Sequence, residues 1–118
     1  MHFICSFYAI FVKIKSNQMK EDVFNQYVER VSNLFGITLE EFFAKSKKRN
    51  LVDARHLVYF LCSRRNIQIV YIEKFMRNNN HDVFRTSISH GIKSVSEKIE
   101  EDKDYKSIVQ DIEKLVHI

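Results

Sequence analysis

Between Met1 and Ile118 the chain contains no proline and only two glycines, Gly36 and Gly91. Tight β-hairpin turns draw on these residues for backbone angles that others resist, so an all-β fold has almost no material for its turns. Helices joined by polar turns remain, and the chain reads as all-α. With 45% hydrophobic residues over 118 positions, one domain with a modest core is expected.

The apolar spacing supports this. From "MKEDVFNQYVERVSNLFG" onward, Val23, Phe24, Tyr27, Val31, Leu34 and Phe35 recur at intervals of three and four and predict one buried face, ended by Gly36 as a C-cap. Thr38 stands three residues before Glu41, the capping-box spacing that starts a second helix through "ITLEEFF", with Phe42 and Phe43 facing inward or sideways. A broad apolar arc of Leu51, Val52, Ala54, Leu57, Val58, Phe60 and Leu61 predicts a central, heavily buried helix. "IQIVYIEKFM" reads as a shorter helix and "RNNNHD" as a polar turn. Ile88, Ile92, Val95 and Ile99 then line a long amphipathic helix to about Glu100, and Ile108, Ile112, Leu115 and Val116 line a last one.

The opening "MHFICSFYAIFVKIK" stands apart. Its apolar run is shorter than the roughly 20 residues of a bilayer crossing, and it lacks a basic lead-in and a small-residue cleavage site. Neither a membrane span nor a secretion signal fits, so residues 1–18 are expected to be a short strand or a core-packing arm, a candidate for self-association or docking of a protein. Residues 19–118 form the helical domain, with Met19 a candidate start. Cys5 and Cys62 have no companion at metal or redox spacing, which points to a reducing cytoplasm.

The net charge of +4 is unevenly spread: residues 45–93 carry eleven Lys or Arg against Asp53, Glu73 and Asp82, whereas residues 97–118 carry seven acidic against four basic residues. A cationic middle attracts polyanions and releases counterions from a nucleic-acid backbone, although many solvated surfaces are as basic. In that middle a short helix, a polar turn and a second helix opening on Arg85, Thr86 and Ser87 outline a helix-turn-helix, whose second helix enters the major groove by its N-terminal residues.

Several segments carry a resemblance: Phe35-Gly36-Ile37, the basic run Ser46-Lys47-Lys48-Arg49, Ala54-Arg55 with Tyr59-Phe60-Leu61, and Thr86-Ser87-Ile88 with His90-Gly91-Ile92. Over about residues 23–117 the chain resembles the C-terminal DNA-binding domain, domain IV, of the bacterial replication initiator DnaA, a compact helical bundle with a Trp-repressor-like helix-turn-helix. The resemblance implies double-stranded DNA as partner and no cofactor. In that family an acid, a histidine and two hydroxyl residues at the helix start contact bases and phosphates, while an arginine of the basic run reaches the minor groove. Here Phe84 and Arg85 stand where the acid and histidine would be, and the turn is about four residues longer. An ungapped register would instead place Asn80-His81 there, but Gly91 would then fall on a buried apolar position and the later helix would lose its stripe. Burying that stripe outweighs the small entropy of a longer loop. The interval from Arg49 to Arg55 is also shorter than in the family.

Each candidate contact has a plainer alternative. Thr86 and Ser87, with free backbone N–H groups, would hold a phosphate, or simply cap the helix. Arg85 would hydrogen-bond to guanine O6 and N7, or stay solvated. Lys47, Lys48 and Arg49 would meet backbone or minor groove, or form a solvated charge run. Arg55 would clamp a phosphate or pair with Asp53 or another acid. His90 and Lys93 follow along the same helix, with His90 open to being packed, and Asn78, Asn79, Asn80 and His81 form a turn that either contacts DNA or links.

No enzyme is read from the chain. Two distant glycines exclude a "GxxxxGK" phosphate loop, and His2, His56, His81, His90 and His117 lack paired metal-ligand spacing. Two functions follow: a stand-alone module reading duplex DNA, as a replication accessory or a transcription regulator, or a helical module that keeps the fold and binds a protein instead.

Overall fold

A computed structural model describes the backbone of residues 2–115 and the side chains of residues 19–115. Six helices and no strand occur among the described residues: α1 (His2–Phe35), α2 (Leu39–Phe43), α3 (Arg49–Arg64), α4 (Ile69–Asn78), α5 (Arg85–Glu101) and α6 (Lys103–Leu115). The all-α expectation holds. The strand expected in the opening stretch does not form. With neither proline nor glycine before Gly36, nothing interrupts helix propagation, and α1 runs unbroken past Met19. Packing by residues 1–18 lies outside the described side chains. None of the described helices is long and apolar enough to cross a membrane.

Val23, Phe24, Tyr27, Val28 and Val31 form the buried face of α1. Leu34 shares their side of the helix but is half exposed, while Phe35 packs against the core. Gly36 ends α1 at φ +67°, and the Ile37 N–H reaches back to the Ser32 carbonyl at 3.0 Å, the six-to-one bond of a Schellman motif. The α3 and α4 termini repeat this device with asparagine. Asn66 (φ +62°) and Asn80 (φ +63°) take the left-handed position, and the Ile67 and His81 N–H groups bond to the Cys62 and Met76 carbonyls, each at 3.0 Å. The capping box of α2 is present, with the Glu41 N–H donating to Thr38 Oγ1 at 3.1 Å and the Thr38 N–H to Glu41 Oε1 at 3.3 Å.

Helix α3 is the central one, packed chiefly against α5 and α1. Leu51, Ala54, Leu57, Val58, Phe60, Leu61 and Cys62 are all buried in it, and Val52 is half-buried. On α5, Ile88 and Val95 are buried and Ile92 and Ile99 half-buried, as the apolar stripe predicts. Gly91 lies on the same side, where its missing side chain admits the rings of His56 and Tyr59 from α3. The expected face of α6 is rotated: Val109 and Ile112 are buried with Tyr105 half-buried, while Ile108 and Leu115 are exposed. Tyr105, Val109 and Ile112 follow the spacing of four and three as well as the expected set does, and contact with α5 selects between the two stripes. Val116 lies outside the described residues.

Candidate nucleic-acid interface

Helix α4, the turn 79–84 and helix α5 form the expected helix-turn-helix. The start of α5 differs from a capped end. Its N-cap is Phe84, whose side chain makes no capping hydrogen bond, so Thr86 and Ser87 sit inside the first turn as exposed side chains rather than as the cap. The Ser87 and Ile88 N–H groups share the Phe84 carbonyl at 3.0 and 3.2 Å. Those of Arg85 and Thr86 find no acceptor among the described residues, the ordinary condition of an α-helix start and a point of positive potential.

Arg85 is solvent-exposed but engaged: its Nε donates to Glu73 Oε2 at 3.3 Å. Glu73 is largely covered and also takes Arg77 Nη2 at 3.2 Å, and Arg77 lies 3.9 Å from Asp82. This quartet ties the start of α5 to α4. Nothing in the sequence reading pointed to Glu73; its only local signal is the four-residue interval to Arg77.

Arg55 departs from both roles expected of it. Its side chain is buried, and its guanidinium donates to the carbonyls of Phe42 (2.7 Å, from Nε), Ser46 (2.9 Å, from Nη1) and Ala44 (from Nη2). It is neither an outward phosphate clamp nor the ion-pair partner of Asp53, which instead meets Lys98 at 3.4 Å and Arg49 at 4.0 Å. A planar fork of donors suits three carbonyls displayed by a loop that has left helical geometry. Arg55 thereby holds the segment carrying the basic run, where Lys47, Lys48 and Arg49 are exposed, Arg49 with 92% of its side chain in solvent.

His81 is half-buried, with Nδ1 3.1 Å from the Phe43 carbonyl, so it ties the long turn to the end of α2. Burial lowers its pKa, the Phe43 carbonyl opposing. His56 is lowered too, by burial first and by the neighbouring His90, Lys98 and Arg55, with Asp53 opposing. His90 is exposed, its ring edge-on to that of His56 at 6.4 Å between centroids, and Lys93 is exposed beyond it.

Val52, Arg55, His56, Tyr59, His81, Val83 and Ser87 line one small cavity of about 120 Å³ between α3, the turn and α5. Burial drives the Tyr59 hydroxyl well above its ordinary pKa. Arg55, which holds the basic loop, and Ser87, at the start of α5, thus line the same cavity. No group of three or more His, Cys, Asp or Glu among the described residues could hold a metal ion, and Cys62 is buried and free.

No family model matches the chain, and no solved structure matches it significantly. Curated relatives do. The chain is 30% identical over 98 residues to the chromosomal replication initiator protein DnaA of Flavobacterium psychrophilum, covering 81% of this chain and 20% of the relative. It is 28% identical over 100 residues to that of Porphyromonas gingivalis, covering 84% and 20%. With that of Aquifex aeolicus it shares 26% identity over 90 residues, covering 75% and 22%. The chain thus spans about a fifth of the length of the initiators it matches. Their similarity across most of this chain, together with the six-helix architecture, makes it a DnaA-like helical domain.

Proposed function

We propose that this domain binds double-stranded DNA by laying the start of α5 in the major groove, as a module of replication or transcription control. The observation that carries the reading is the uncapped start of α5, in a chain that also exposes the cations of the 45–49 loop and is similar to replication initiators. In this arrangement Thr86, Ser87 and the free Arg85 and Thr86 N–H groups take a phosphate. Arg85 exchanges its pairing with Glu73 for a guanine edge, while Arg77 remains on the Glu73 carboxylate. Lys47, Lys48 and Arg49 neutralise backbone or enter the minor groove, and His90 and Lys93 contact the flank. Arg55 and His81 shape this surface from within.

Fluorescence anisotropy with random duplex at two salt concentrations tests the proposal. The expected result is binding whose log affinity falls linearly with log salt, with a slope near the number of phosphates neutralised. No binding at low salt overturns it and favours the protein-docking alternative, for which the exposed Ile108 and Leu115 of α6 supply an apolar face.

A further inference from the structure

Phe84 is the most exposed large hydrophobic residue among those described, with 80% of its surface in solvent, and it caps α5 without burying its ring. Single exposed apolar side chains are common on protein surfaces, and this one is set apart by its place at the tip of α5. The neighbouring side chains do not cover it. Arg85 is drawn back onto α4 by Glu73, and Val83 turns partly inward, lining the small cavity beside Arg55. Phe84 is therefore left as the apolar group projecting at the start of the recognition helix.

The charges around it argue for one occupant. Arg77, Arg85, Glu73 and Asp82 balance one another at the tip, so Phe84 sits at a neutral point. Lys47, Lys48 and Arg49 on the loop and Lys93 along α5 are exposed cations. A protein partner would need an apolar pocket rimmed by acidic groups, whereas any duplex offers phosphates to the cations and one apolar group in its major groove, the C5 methyl of thymine.

We infer that Phe84 is a specificity-determining residue that packs on a thymine methyl in the major groove; this rests on the DNA-binding reading above. Residues at the start of a recognition helix are the ones that meet base edges, and phenylalanine recognises thymine by apolar contact alone. The preference at that position is then for the methyl group rather than for a hydrogen-bonding pattern.

The test begins with a duplex selected from a random pool by the intact chain. Each thymine in the selected site is replaced in turn by uracil, which removes only the methyl, and affinity is read by anisotropy. The expected result is one position at which uracil weakens binding about fourfold, the worth of one buried methyl. Phe84→Ala should weaken binding to the parent site by at least as much and abolish the uracil effect at that position, while Phe84→Leu retains part of it. Far-UV circular dichroism and thermal unfolding of Phe84→Ala should match the parent, because the ring contributes little to the core. If the parent binds its selected site but no uracil substitution matters, or if Phe84→Ala keeps the same uracil sensitivity, the inference is overturned while DNA binding stands. Failure of the parent chain to bind any duplex overturns both.

Discussion

Gly91 of α5 lies so close to His56 of α3 that a β-carbon on it would stand 2.6 Å from His56 Cδ2 and 3.2 Å from Tyr59 Cδ2. This contact sets the distance between α5 and the central helix α3. It should make Gly91→Ala destabilising by about 1–3 kcal/mol, the usual cost of overpacking, despite the better helix propensity of alanine. His56→Ala should relieve the clash, so the double variant should be more stable than the sum of the two single effects predicts. Urea unfolding of the four proteins measures that coupling. Additive effects would mean that the helices do not pack this closely.

Arg55 offers the second test. Removing its guanidinium leaves the Phe42, Ala44 and Ser46 carbonyls without their donor. Arg55→Ala should cost roughly 2–4 kcal/mol in chemical denaturation, as expected when a charged donor is lost from buried partners. Arg55→Lys should recover only part, because a single ammonium cannot face three divergent carbonyls. If Arg55→Lys is as stable as the parent, the fork geometry is irrelevant to the fold.

Asn80 holds a left-handed conformation at the end of α4, where the sequence reading saw only a polar turn. Asn80→Ala should lower stability by about 1 kcal/mol, and Asn80→Gly should be neutral or stabilising. The differential between the two, read as a shift in thermal midpoint, reports backbone strain alone. Equal effects would place Asn80 outside the left-handed region.

The histidines make stability depend on pH with a definite sign. His56 and His81 both have pKa values depressed by burial below the ordinary 6.5. The unfolded chain therefore binds more protons than the folded one as soon as pH falls below about 6.5. Their contribution is intact above that pH and is lost progressively as pH drops toward the depressed folded values. The urea midpoint should fall between pH 7.5 and pH 5.5, and the fall should shrink in a His56→Gln, His81→Gln variant. An unchanged pH profile in that variant would assign the dependence to other groups.

For the DNA-binding reading, Arg85→Ala should cost about 1–3 kcal/mol on a selected site and relax preference at one base pair. Lys47→Ala should weaken all sequences alike and reduce the salt slope by about one. Anisotropy titrations of both variants at several salt concentrations separate these signatures. Parent-like binding by both would displace the contact set from this end of α5.

Much of the architecture was legible from spacing. The Ile88, Ile92, Val95 and Ile99 stripe, the capping box at Thr38 and the stop at Gly36 are local features, and each depends on groups within a few residues of one another. The Asn66 and Asn80 stops were missed because asparagine takes the left-handed position less obligately than glycine, so its presence alone does not announce a cap. For α6, two stripes with equally good periodicity were available, and periodicity has no means of choosing between them.

Helix positions, the long turn before Arg85 and the cationic character of the middle were determined by the order of residues, because short-range sterics and hydrogen bonding act between near neighbours in the chain. Which polar groups stay free was decided only in three dimensions. Arg55 is taken up by carbonyls 9 to 13 residues away, Arg85 by a carboxylate 12 residues away and His81 by a carbonyl 38 residues away. Phe84 is left outside by the same packing. A side chain's role at a surface depends on what folding has already placed within hydrogen-bonding reach, and separation along the chain does not encode that distance.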